Sequence, residues 1–147
     1  MITGDEQRIH DLVKKVYDEF VAGDCTEEGN NTFYDFIKPE SISMRLQSGN
    51  IIFICKEGDL IIGMIELKDL NHISLLFVDK DFQGLGIARK LFNETVEIAR
   101  SGGNNDFIDV NSSLFAIPIY TKLGFKTTSE IQIVDGIKFV RMKCELK

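Results

Sequence analysis

The chain has 147 residues, the length of one compact domain, and its 44% hydrophobic and 27% charged residues make the balance of a soluble protein with one core. A formal net charge of −6 disfavours non-specific nucleic-acid binding and is compatible with a cationic substrate. The longest apolar runs, Ile51 to Cys55 and Leu60 to Ile65, fall far short of the roughly 20 residues of a membrane-spanning helix. The opening residues also lack the basic-then-apolar pattern of a secretion signal. A single domain over residues 1–147 is expected, cytoplasmic, with no membrane or nucleic-acid partner.

In chain order, Ile9, Leu12, Val13, Val16 and Phe20 recur at helical spacing between Asp5 and Val21, with Gly23 as a stop. A polar turn from Asp24 to Asn31 leads to a short helical pattern carrying Phe33, Phe36 and Ile37, which Pro39 ends or kinks. Another short helix, Glu40 to Gln47, ends at Gly49. Ile51 to Lys56 and Leu60 to Leu67 flank Glu57-Gly58-Asp59 and predict a hairpin, and His72 to Val78 predicts a third strand.

From Gly84 the period changes to 3.6, with Leu91, Phe92, Thr95, Val96 and Ala99 on one stripe as far as Gly102-Gly103. Phe107 to Val110 predicts a strand and Ser113 to Leu123 a helix. Phe125 to Val134 and Ile137 to Leu146 predict a hairpin around Asp135-Gly136. The order implies an α/β (α+β) fold with a mixed, partly antiparallel sheet. Cys25, Cys55 and Cys144 are odd in number, have no C-x-x-C spacing and read as reduced structural thiols.

The chemistry is concentrated where the third predicted strand turns into the long helix. A strand, a glycine turn and a helix start expose backbone N–H groups where partial positive charge favours phosphate. Here the turn is Gln83-Gly84-Leu85-Gly86-Ile87-Ala88, followed by Arg89. Gly86 lets a diphosphate approach the main chain, and the small Ala88 keeps the first helical turn open. Neither G-x-x-x-x-G-K-[ST] nor G-x-G-x-x-G is present.

Gln83-x-x-Gly86-x-Ala88, with Ala116-x-x-x-Tyr120-x-x-Leu123-Gly124-Phe125 downstream, resembles the GCN5-related N-acetyltransferase superfamily. The resemblance implies a largely antiparallel twisted sheet flanked by helices, with the family's first strand short or absent here. It implies that Gln83 to Arg89 bind the pyrophosphate of acetyl-CoA, a cosubstrate, and that main-chain groups of Leu76, Phe77 and Val78 pair with the pantetheine arm. It implies that Tyr120 is the general acid and that His72, eleven residues before Gln83, is near the acceptor amine as a base, with Glu66 in reserve. The family's asparagine near this helix is replaced by Ser113, with Asn111 two residues earlier, and either is a candidate coenzyme contact. Lys80, Arg89, Lys90, Lys122 and Lys126 are candidate counter-charges for the coenzyme, and a backbone N–H near Phe77 or Val78 is the implied oxyanion donor.

Reference pKa values of about 10 for a phenol and about 8.5 for a thiol make full proton transfer to the departing thiolate only about 2 kcal/mol uphill. A reference imidazole is about 4 units below an alkylammonium, so a histidine base acts during or after attack, or through water. The expected activity is direct acetyl transfer to a small-molecule or peptide amine, without a metal, by a monomer or homodimer. Glu27, Glu28 and Asp35 would favour a cationic acceptor. The alternative is a non-catalytic acyl-CoA-binding or regulatory module.

Overall fold

A computed structural model describes the protein from residue 4 to residue 146. Its helices are α1 (Glu6–Phe20), α2 (Glu27–Phe36), α3 (Pro39–Gln47), α4 (Ile87–Ser101) and α5 (Ile117–Leu123). Its strands are β1 (Ile51–Glu57), β2 (Leu60–Lys68), β3 (His72–Val78), β4 (Phe107–Ser112), β5 (Lys126–Thr127), β6 (Gln132–Val134) and β7 (Ile137–Glu145). No strand precedes α1 among the described residues.

The apolar stripes predicted from spacing become two cores on opposite faces of one sheet. Ile9, Leu12, Val13 and Val16 of α1 pack with Ile37, Ile42, Ile52, Met64 and Leu75 on one face. Leu91, Phe92 and Ala99 of α4 pack with Tyr120, Phe125, Ile73, Val110 and Met142 on the other. Each fully buried aliphatic side chain of this kind contributes about 1.5–3 kcal/mol.

Several predicted boundaries move. Helix α2 starts at Glu27, inside the expected polar turn, because Thr26 caps it by accepting the Gly29 N–H at 3.1 Å and acidic residues fill its first turn. Pro39 opens α3 instead of ending its predecessor, since a missing N–H costs nothing in a first turn. The single strand expected from Phe125 to Val134 is broken into β5 and β6, both paired to β7; between them the Ser129 hydroxyl, not a strand carbonyl, accepts the Arg141 N–H at 3.0 Å.

The sheet order is β1-β2-β3-β4-β7-β5, with β6 also on β7. All pairs are antiparallel except β3 with β4. That parallel pair holds only His72 opposite Asp109 and Ile73 opposite Val110. On its other side β3 skips a residue: Leu67 is opposite Ile73 and Glu66 is opposite Leu75, so Ser74 is a bulge. A bulge bends its strand, and beyond Ser74 the edge of β3 that would continue onto β4 is unpaired. The sheet is thus split from Ser74 to Val78.

Side-chain alternation sorts the neighbouring residues. Ile73, Val110, Val140 and Met142 belong to the core beneath α4 and α5, so His72, Asp109, Asn111, Arg141 and Lys143 face the other way, toward the α1 to α3 side.

Candidate active site

The turn between β3 and α4 is fixed from within. Asp79 is buried; its carboxylate accepts the Asp81 N–H at 2.9 Å and the Lys15 ammonium at 3.1 Å. Burial alone would raise its pKa, but those two donors outweigh it and hold the carboxyl below the usual aspartate value. The Gln83 side-chain amide donates to the Val78 carbonyl at 3.0 Å, closing the loop against the strand end. Gly84 and Gly86 have φ of 80° and 82°, a region that favours glycine.

Helix α4 begins just after Gly86 with no side-chain cap. Its first return bond runs from the Lys90 N–H to the Gly86 carbonyl at 3.0 Å, so the N–H groups of Ile87, Ala88 and Arg89 have no acceptor within the helix. Nothing stands within 4 Å of where a Gly86 β-carbon would be, so the space before these donors is open.

These donors open into a cleft of about 1230 Å³ that also takes in the split between β3 and β4. The predicted residues Leu76, Phe77, Val78, Gln83, Gly84, Gly86, Ile87, Ala88, Arg89, Asn111, Ser113, His72 and Tyr120 all line it. Leu85 does not, and its side chain is exposed. Ser113 is partly engaged, because its hydroxyl accepts the Ala116 N–H at 3.2 Å and forms the turn that delays α5 until Ile117 instead of the expected Ser113. Arg89 donates to the Lys122 carbonyl and joins α4 to α5, while Lys80 is paired with Glu19 at 2.7 Å.

Tyr120 projects from α5 with its ring edge-on to Phe125, centroids 5.2 Å apart, and is 4% exposed. Its hydroxyl has no protein partner among the described residues, and none of their polar side-chain atoms is both enclosed and unpartnered, so the hydroxyl reaches the cleft. Burial pushes its pKa well above the ordinary tyrosine value, which keeps the phenol protonated.

At the start of β3, His72 Nδ1 lies 2.6 Å from Asp109 Oδ1. With Nδ1–H donating to that carboxylate, Nε2 carries the lone pair. Asp109 was not anticipated from the sequence; only the parallel register of β3 and β4 brings it opposite His72. Glu66, the reserve base, is fully buried, with its oxygens accepting from Arg45 Nε at 2.7 Å, Arg45 Nη2 at 3.1 Å and Asn50 Nδ2 at 2.7 Å. Arg45 further donates to the Phe36 carbonyl and stacks on its ring at 3.8 Å. Glu66 is therefore the buried anchor of Arg45.

The acidic residues expected to attract a cation are elsewhere. Glu27, Glu28 and Asp35 do not line the cleft, and Asp35 is paired with Lys38 at 2.9 Å.

Comparison with known proteins places this geometry. The chain is 27% identical over 125 residues to the uncharacterized N-acetyltransferase YitH of Bacillus subtilis, a match covering 83% of this chain and 43% of that protein. The chain thus spans less than half the length of that curated relative. Its fold superposes on a GCN5-related N-acetyltransferase of Rhodopseudomonas palustris with a TM-score of 0.84 at 20% identity, covering 99% of this chain and 92% of the other. It also superposes on the PaiA N-acetyltransferase of Thermoplasma acidophilum, solved in complex with coenzyme A, with a TM-score of 0.76 at 20% identity over 96% and 92% of the two chains. The family model for the acetyltransferase (GNAT) domain matches residues 21–146, and on that match the chain belongs to the GNAT family of acetyltransferases.

Proposed function

We propose that the protein transfers an acetyl group from acetyl-CoA directly to a primary amine of a small molecule or peptide. The observation that carries this reading is that two unsatisfied sets of backbone groups, the first N–H groups of α4 and the open edge of β3, face one cleft. The first set suits a diphosphate at a helix N-terminus. The second suits an extended amide-bearing arm that adds to the sheet as a strand would, through the main-chain groups of Leu76 and Val78 that face away from β2, with Phe77 between them. Both belong to one molecule, coenzyme A, whose acetyl thioester supplies the acyl group.

The side chains divide the remaining work. Tyr120, protonated and without a protein partner, donates to the departing sulfur. His72 Nε2 accepts the amine proton as nitrogen bonds to the carbonyl carbon, while Asp109 holds the ring in the required tautomer. A main-chain N–H near Phe77 or Val78 stabilises the charge that develops on the carbonyl oxygen. Asn111 of β4 and Ser113 in the turn after it border the arm, and Arg89 and Lys122 offset phosphate charge.

The test is incubation with acetyl-CoA and pooled amino acids, amino sugars, polyamines and peptides, following free thiol and acetylated product by mass spectrometry. Thiol release matched by acetylamine supports transfer. Tight acetyl-CoA binding with no thiol released across the pool would replace it with a non-catalytic binding role.

A further inference from the structure

The chain carries 23 acidic and 17 basic residues, yet the cleft is lined by six cationic side chains, Arg45, Lys68, Arg89, Lys122, Lys138 and Arg141, and by one carboxylate, Asp135. The sign of the site is opposite to the sign of the molecule. Arg89 and Lys122 are at the coenzyme end, where phosphate accounts for them. The phosphate loop follows Val78, and six strand residues at about 3.3 Å each put His72 about 20 Å from it. Cations beside His72 are therefore beyond the reach of the diphosphate subsite.

Those cations are arranged by register. Lys68 is directly opposite His72, His72 opposite Asp109, and Asp109 opposite Lys143, forming one row across four strands. Arg141, opposite Asn111, is one step along on the same face. Several of these charges are already opposed: Asp109, hydrogen-bonded to the neutral His72 ring, by Lys143 directly opposite it, and Arg45 by Glu66. Lys68 and Arg141 have no carboxylate partner among the described residues. Two uncompensated cations beside the base repel an ammonium ion and attract an anion, the more strongly where the walls exclude solvent.

Resting on the acetyl-transfer reading above, we propose that the acceptor is an amine bearing a carboxylate or phosphate, which Lys68 and Arg141 hold beside His72 so that the amine nitrogen is presented to it. The anion fixes the orientation and offsets the local positive potential, while the row repels polyamines and other purely cationic amines.

Three matched pairs test this: L-alanine with ethylamine, L-lysine with cadaverine, and glucosamine 6-phosphate with glucosamine. Coenzyme A release should favour the anionic member of at least one pair by about tenfold or more in kcat/KM, the first two pairs reporting a carboxylate and the third a phosphate. Lys68→Glu and Arg141→Glu, both at exposed positions, should each erase that preference with the KM for acetyl-CoA unchanged. Equal or reversed preference in all three pairs overturns the inference, as does a preference that survives both substitutions. If no amine releases thiol, the transfer reading fails separately, and calorimetry on protein saturated with coenzyme A decides this one. Heat from the anionic members alone sustains it, and heat from none of them overturns it.

Discussion

Tyr120 is the residue whose role separates most cleanly from its packing. Its ring belongs to the core beneath α4 and α5, but its hydroxyl bonds to no described protein group. Tyr120→Phe should change folding stability by less than about 0.5 kcal/mol while lowering kcat about 100-fold, with little change in the KM for acetyl-CoA. Chemical denaturation and steady-state rates check both halves, and an unaltered kcat removes Tyr120 from the chemistry. Asp109 acts through His72, so Asp109→Asn and His72→Asn should each lower kcat, and the double variant should be no worse than His72→Asn alone. Additive losses would separate the two residues. Asp79 supplies a pH signature: because its folded pKa is depressed, its stabilisation is full above the unfolded value near 3.9 and disappears as pH falls through the lower folded value. Asp79→Asn should be less stable than the parent at pH 7 by about 1 kcal/mol, and the gap should narrow in melts below about pH 4. A constant gap would place the effect in shape instead of charge.

Among the elements, β3 and the β3 to α4 turn govern the site, and they were the most legible. The strand from His72 to Val78 matched its expected limits because an apolar run ends abruptly at Asp79, and α4 matched closely because its stripe repeats for four turns between glycines. Gly86→Ala would hold a side chain at φ 82°, at a cost of about 1–2 kcal/mol, or else distort the turn. The expected outcome is a several-fold rise in the Kd for coenzyme A measured by calorimetry, and unchanged binding would mean that the α4 N–H groups do not carry the diphosphate. The elements that sequence placed poorly are those whose limits depend on distant partners. Thr26 starts α2 while also bonding the Gly136 carbonyl through its N–H at 3.0 Å. The break between β5 and β6 follows the course of β7, not a signal within Thr128 to Ile131. Asp109 escaped notice for the same reason, since one sequence gives no register for a parallel pair.

For the molecule as a whole, net charge does not report the sign of the cleft. An acidic surface encloses a basic cleft, and a sum over residues does not resolve the two. The motif around Gln83 and the position of Tyr120 were legible because they are local in sequence, whereas the cluster of Arg45, Asn50 and Glu66 joins α3, the segment before β1, and β2. Arg45→Met should destabilise the fold by about 3 kcal/mol or more, because a wholly enclosed Glu66 loses its counter-ion. Adding Glu66→Gln should recover part of that loss in thermal melts, and failure to recover any would assign the cost to the Phe36 contacts.

The junction between Thr26 and Gly136 has a consequence for the order of assembly. A β-carbon on Gly29 would overlap the Gly136 carbonyl, so the tip of the β6 and β7 hairpin sits directly on the first turn of α2. The two halves of this junction are 110 positions apart along the chain. Bringing them together carries the loop-closure entropy of nearly the whole polypeptide, which contacts formed nearer in sequence do not. The side of the cavity lined by Val134, Asp135, Ile137 and Lys138 is accordingly completed only when the last strand is in place.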